Sequence, residues 1–136
     1  MEQINDLIDQ SFNTIGLILV FVFVLFDVKH PKIRDLLAKF PPPPERPQEF
    51  AGYLAELRAS LFFDALPLVI VNGALLYLFL PLSVNTLAVY RFSAWNFDFI
   101  QTAFLFVIVF LASLFLWACW LFAKIIIHLR KARGTI

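Results

Sequence analysis

An all-α integral membrane protein with three transmembrane helices is the fold class this sequence predicts, and three observations predict it. Between Asp98 and Lys124 stand 25 consecutive residues, Phe99 to Ala123, without a formal charge. A second uncharged run of 26 residues separates Asp64 from Arg91, and a third window, Gln10 to Phe26, holds 17. The chain is 61% hydrophobic, with 17 Phe among 136 residues, which is too apolar for a soluble domain of this length. At about 1.5 Å per helical residue, the longer runs outreach the roughly 30 Å hydrocarbon core of a bilayer.

The first span is expected over about 4–27. Its uncharged window is short for a crossing, so the helix must reach back to about Ile4, which draws Asn5, Asp6, Asp9, Gln10, Asn13 and Thr14 to the membrane edge. At about 100° per residue, Asp6, Asp9, Gln10 and Asn13 share one arc of roughly 100°, and Leu17, Val20 and Val24 continue it as apolar residues. In an oligomer such a stripe lines a cation-attracting mouth above a hydrophobic constriction. The same acids also suit a helix N-terminus at the interface, where the dipole favours negative charge. No Lys or Arg precedes this apolar stretch and no small-residue cleavage site follows it, so it is expected to stay in the mature protein.

Residues 28–62 are charged and proline-rich and are expected in water or at the interface. Pro31 suits the first turn of a new helix, in which Ile33, Leu36, Leu37 and Phe40 share a face. Pro41 to Pro44 and Pro47 cannot continue it and favour stiff polyproline II geometry. Their P-x-x-P spacing also occurs in ligands of aromatic grooves, but a stiff connector explains it equally well and is the favoured reading. A second amphipathic helix restarts after Pro47, with Phe50, Tyr53, Leu54, Leu57 and Leu61 on one face, so the segment reads as an amphipathic helical hairpin.

The second span is expected over about 63–81, ending near Leu80 because Pro81 marks a stop. At its start, either the helix from Pro47 runs on and kinks at Pro67, or Asp64 caps a new helix. Asp64 and Asn72 are its intramembrane polar residues. Asp64, near the span's end, is expected to reach the interface, pair with Arg58 or Lys124, or serve as a cap, and Asn72 to bond across to a neighbouring helix. A connection over 82–97 carries Tyr90, Phe92, Trp95 and Phe97, an aromatic belt. The third span, about 98–123, is capped by Asn96 or Asp98, and a basic tail, 124–136, follows it.

Ten of the eleven Lys and Arg fall in the segments after the first and third spans, and only Arg91 lies in the 82–97 connection. The positive-inside rule therefore places the N-terminus outside, the C-terminus inside, and the hairpin in the cytosol of a bacterial inner membrane or plasma membrane. A net charge of +1 offers no footprint for nucleic acid. Cys119, the single cysteine, lies inside an apolar run, and with Ala123 it makes one small-x-x-x-small pair, a weak packing signal. His30 and His128 are isolated at the charged boundary and suit headgroup contacts, not a metal. No nucleophile–base pair or metal cluster is visible, so neither an enzyme nor a cofactor is expected. The expected partners are the lipid bilayer and either further copies of the chain, as a homo-oligomeric ion-conducting pore lined by the first span, or another membrane protein. In the second case the chain is an accessory subunit that binds through residues 28–62.

Overall fold

The computed structural model describes residues 2–90 and 98–134, apart from the side chains of Ile4, Asp9, Ser11 and Asn13. All regular structure in it is helical, and three helices are long and apolar enough to cross a membrane. Helix α1 spans Glu2–Ala38, α2 spans Pro47–Ser60, α3 spans Leu66–Val89 and α4 spans Phe99–Gly134, with one π-helical turn, Leu61–Ala65, joining α2 to α3 without a break. At 37 and 36 residues, α1 and α4 are each about 55 Å long, well beyond a hydrocarbon core. The surplus projects mainly at the end where the lysines and arginines collect, which we call the basic end.

Three breaks expected from local sequence are absent. Pro31 does not start a new helix: it lies exposed inside α1 and cannot donate to the Asp27 carbonyl. An interior proline costs a helix about 3 kcal/mol, and packing overrides that cost. The buried face of α1 runs through Val22, Phe26, Ile33 and Leu36 without losing phase, in one cluster with Tyr53, Leu57, Ile125 and Leu129. Pro81 likewise does not end the second span, because α3 continues to Val89. Beyond it, Ser83 donates to the Phe79 carbonyl at 2.6 Å and Thr86 to the Leu82 carbonyl at 2.7 Å, and both side chains are buried. The connection is therefore shorter than residues 82–97. Of its aromatic belt only Tyr90 can be placed; Arg91, Phe92, Trp95, Asn96 and Phe97 lie outside the described residues. Finally, the basic tail expected at 124–136 is not separate from the third span, because α4 continues through it to Gly134 with Ile125, Leu129 and Ala132 buried at helical spacing.

The core is a seam filled along the length of the bundle. One cluster joins Val22 and Phe26 of α1, Leu68 of α3 and Leu111, Leu114, Ala118 and Leu121 of α4, and extends to the helices of the basic end. A smaller cluster at the other end joins Ile8 and Ile15 to Phe104, with Phe79 set edge-on to Phe104 at 6.4 Å between centroids. Helices α3 and α4 make the most extensive pairing, and they meet closely at Gly73, where the Phe115 ring occupies the space beside the backbone.

Candidate functional site

Geometry on α1 separates two faces. Ile8, Ile15, Val22, Phe26 and Ile33 are buried against α3 and α4, and at about 100° per residue they lie on the side opposite to Asp6, Gln10, Leu17, Val20 and Val24. The second set faces away from the bundle: Asp6 and Gln10 are exposed, and Leu17, Val20 and Val24 are 75%, 63% and 53% exposed. Asp9 and Asn13 belong to this stripe by helical position, and their side chains lie outside the described residues. The chain's own core therefore does not use the stripe. Nor do the described residues of a single chain enclose a path along its axis, since the space between α1, α3 and α4 is packed with Val22, Leu68, Leu111 and Ala118.

At the end opposite the basic one, a polar knot ties α1 to the start of α4. Asp98 caps α4 as expected: its Oδ1 accepts from the backbone N–H of Ile100 at 3.0 Å and of Gln101 at 3.3 Å. Its second oxygen accepts from Asn5 Nδ2 at 2.6 Å, and Asn5 Oδ1 in turn accepts from the buried Gln101 Nε2 at 3.0 Å. Thr102 donates to the Asp98 carbonyl at 2.7 Å and shares a hydrogen bond of 2.9 Å with the Tyr90 hydroxyl, which holds the end of α3 to α4. Only the cap is visible in the sequence. Asn5 and Asp98 are 93 positions apart, and no spacing rule connects them.

The two polar residues expected inside the second span behave differently from expectation. Asp64 pairs with neither Arg58 nor Lys124, and it does not cap a helix, because the helical rod passes straight through it. Its Oδ1 lies 2.9 Å from Lys29 Nζ, with the two side chains only 17% and 23% exposed. Lys29 also donates to the Phe63 carbonyl at 3.0 Å. Pro67 has no N–H to offer that carbonyl, so the ammonium fills the vacancy that the proline creates. Asn72 is fully buried, yet it does not bridge to another helix; its Nδ2 donates to the Leu68 carbonyl of its own helix at 2.8 Å. Asn72 Oδ1 and Ser60 Oγ are the buried side-chain polar atoms without a partner among the described residues.

The proline run folds back toward α4. Pro41 to Pro44, with Phe50, Tyr53 and His128, border a cavity of about 340 Å³, while Phe40 at the start of the connector is 94% exposed. Among the described residues no three His, Cys, Asp or Glu side chains stand close enough to hold a metal ion. Cys119 is half-buried.

No family model, curated protein or solved structure matches this chain.

Proposed function

We propose that this chain is a multi-pass cell-membrane protein that self-associates through α1 and forms an ion-conducting pore between copies. The observation that carries this reading is the outward direction of the α1 stripe. A face that runs from acidic to polar to apolar is left unused by intramolecular packing, and Asp6, Gln10, Leu17, Val20 and Val24 are all free to meet the same helix of another copy. Carboxylates at the mouth raise the local cation concentration, and the three aliphatic residues form a dry constriction. Purified protein in liposomes tests it. Val20→Asn is expected to wet the constriction and make the channel leaky. Asp6→Asn with Asp9→Asn is expected to lower cation selectivity most at low ionic strength, because screening acts over about 8 Å in physiological salt. Absence of flux from wild type and both variants, with folded oligomeric protein confirmed, removes the pore.

The membrane orientation proposed with it is N-terminus out and basic end in the cytosol of a bacterial inner membrane or plasma membrane, supported by the Lys and Arg asymmetry. In a Cys119→Ser background, single cysteines at Asn5 and Trp95 are expected to react with an impermeant reagent added to intact cells, and one at Glu45 is not. The reverse pattern overturns the orientation.

A second reading, an accessory subunit that holds a partner protein through residues 28–62, draws support from Phe40, which stands almost fully exposed beside the rigid proline connector. The mass of the complex released from its native membrane separates the two readings. A single-species oligomer favours the pore, and a mixed complex favours the subunit.

A further inference from the structure

Two adjoining cavities open between α1 and α4. The upper, of about 480 Å³, is bordered by His30, Arg34, Trp117, Trp120, Lys124 and His128, and among the described residues no carboxylate borders it. The lower, of about 260 Å³, shares His30 and Trp117 with it and is otherwise apolar, walled by Phe23, Phe26, Phe110 and Leu114, with Pro31 and the one acid, Asp27, at its rim. His30 closes the join by setting its ring edge-on to Trp117 at 4.9 Å, and Lys124 Nζ lies 4.3 Å from the centre of the Trp120 ring. His128 Nδ1 is 2.9 Å from the Lys124 carbonyl, which fixes the imidazole toward the upper cavity.

The level of this groove follows from the chain itself. The uncharged run of α1 ends at Phe26 and that of α4 at Ala123, so both helices pass from uncharged to charged sequence alongside the groove. Tryptophans concentrate at that depth because their rings suit the headgroup region. The lower cavity thus lies mostly against the uncharged runs, with Asp27 where that of α1 ends, and the upper lies beside charged sequence.

We infer that the α1–α4 groove is a binding site for one anionic phospholipid, its phosphate held by Arg34 and Lys124 and an acyl chain laid along Phe23, Phe26, Phe110 and Leu114. Charge selects the occupant. Two cationic side chains, with no carboxylate bordering the upper cavity among the described residues, attract a headgroup of net negative charge and repel the quaternary ammonium of a zwitterionic choline lipid. Shape selects a lipid over a free anion, since the apolar lower half continues directly from the charged half. The two tryptophans and two histidines supply flat walls and further donors around the phosphate.

Tryptophan quenching by brominated acyl chains reads the site directly. In a Trp95→Phe background only Trp117 and Trp120 emit, and both border the groove. Two bilayers of identical composition, phosphatidylcholine with a minor share of phosphatidylglycerol, are prepared with the bromine on equal amounts of one lipid or the other. Brominated phosphatidylglycerol is expected to quench more strongly, and this excess is expected to be lost in Arg34→Gln/Lys124→Gln. The matched variant Arg130→Gln/Arg133→Gln removes equal charge from exposed positions of α4 that do not border the groove, and it is expected to keep the excess. Should the first pair insert poorly by circular dichroism, Arg34→Gln alone, exposed on α1, is expected to reduce the excess. Equal quenching by both lipids in the wild-type groove overturns the proposal. So does a loss that is equal in the two charge-matched variants, because that result describes a diffuse attraction of the whole basic end.

Discussion

Replacing Lys29 by Met is expected to destabilise the fold by about 2–3 kcal/mol, and most of that loss is expected to disappear when Asp64→Asn and Pro67→Ala are already present. The cause lies at Pro67, whose ring cannot donate to the Phe63 carbonyl four residues earlier. The rod answers by widening: Leu61–Ala65 is a π-helical turn in which the Leu66 N–H reaches back to Leu61. That relieves the steric conflict but leaves the Phe63 carbonyl with an open position, and Asp64 beside it with a partly buried carboxylate. One ammonium from α1 serves both, at 3.0 and 2.9 Å. Hydrogen bonds to charged groups contribute about 1.5–3 kcal/mol, and removing one partner of a fully buried pair costs about 3–5. Side chains that remain 23% and 17% exposed place this pair below the buried limit. Pro67→Ala returns a donor to Phe63, and Asp64→Asn removes the charge, so Lys29 should then have little left to satisfy. Equilibrium unfolding in detergent micelles of the wild type, Lys29→Met, the Asp64/Pro67 double variant and the triple variant completes the cycle. An unchanged cost of Lys29→Met in the double-variant background would show that Lys29 acts elsewhere. The exposed Lys39–Glu56 pair is the natural contrast, since at 57% exposure on both sides it should contribute less than about 1 kcal/mol.

What the sequence discloses and what it withholds divide along a physical line. Uncharged length, the apolar face of each helix, the Asp98 cap and the Lys and Arg asymmetry are properties of neighbouring residues, so the linear chain displays all of them. Pro31 and Pro81 mislead because a proline states only a local preference, and the buried faces of α1 and α3 that override it are completed by residues of α2 and α4. Asn72 misleads for the opposite reason. An amide in an apolar span suggests a partner across the bundle, but this one donates to the Leu68 carbonyl of its own helix, one turn back. The bonds from Lys29 to Asp64 and from Asn5 to Asp98 join positions 35 and 93 apart, and they exist only because the helices lie side by side. The Asp6 to Val24 stripe is legible as a shared face; which side of the bundle that face takes depends on Ile8, Ile15 and Val22 being the better core.

Gly73→Leu is expected to cost about 2–3 kcal/mol, within the range for overfilling a packed interior, and to loosen the pairing of α3 with α4. Glycine inside a helix ordinarily costs about 1 kcal/mol relative to alanine, so its presence in the middle of α3 calls for a packing reason. Phe115 supplies one. A Cβ at position 73 would meet Phe115 Cε2 at 3.1 Å, and two further ring carbons lie at 3.8 and 3.9 Å. Alanine tests only the edge of this contact, because a shift of a few tenths of an ångström in the ring could absorb one methyl while the helix gains propensity; its net effect should be small. Leucine adds three more carbons into the volume held by the ring, which must then swing out of the α3–α4 contact. Phe115→Ala alone should also destabilise, by less than the about 3–5 kcal/mol of a fully buried large-to-small variant, because Phe115 is only half-buried. Combined, Gly73→Leu and Phe115→Ala exchange volume across the interface, and the pair should recover much of the loss of either single change. Unfolding midpoints in micelles for the four proteins give the coupling. If the two changes simply add, Gly73 is not where α3 receives Phe115, and the close approach of the two helices has another origin.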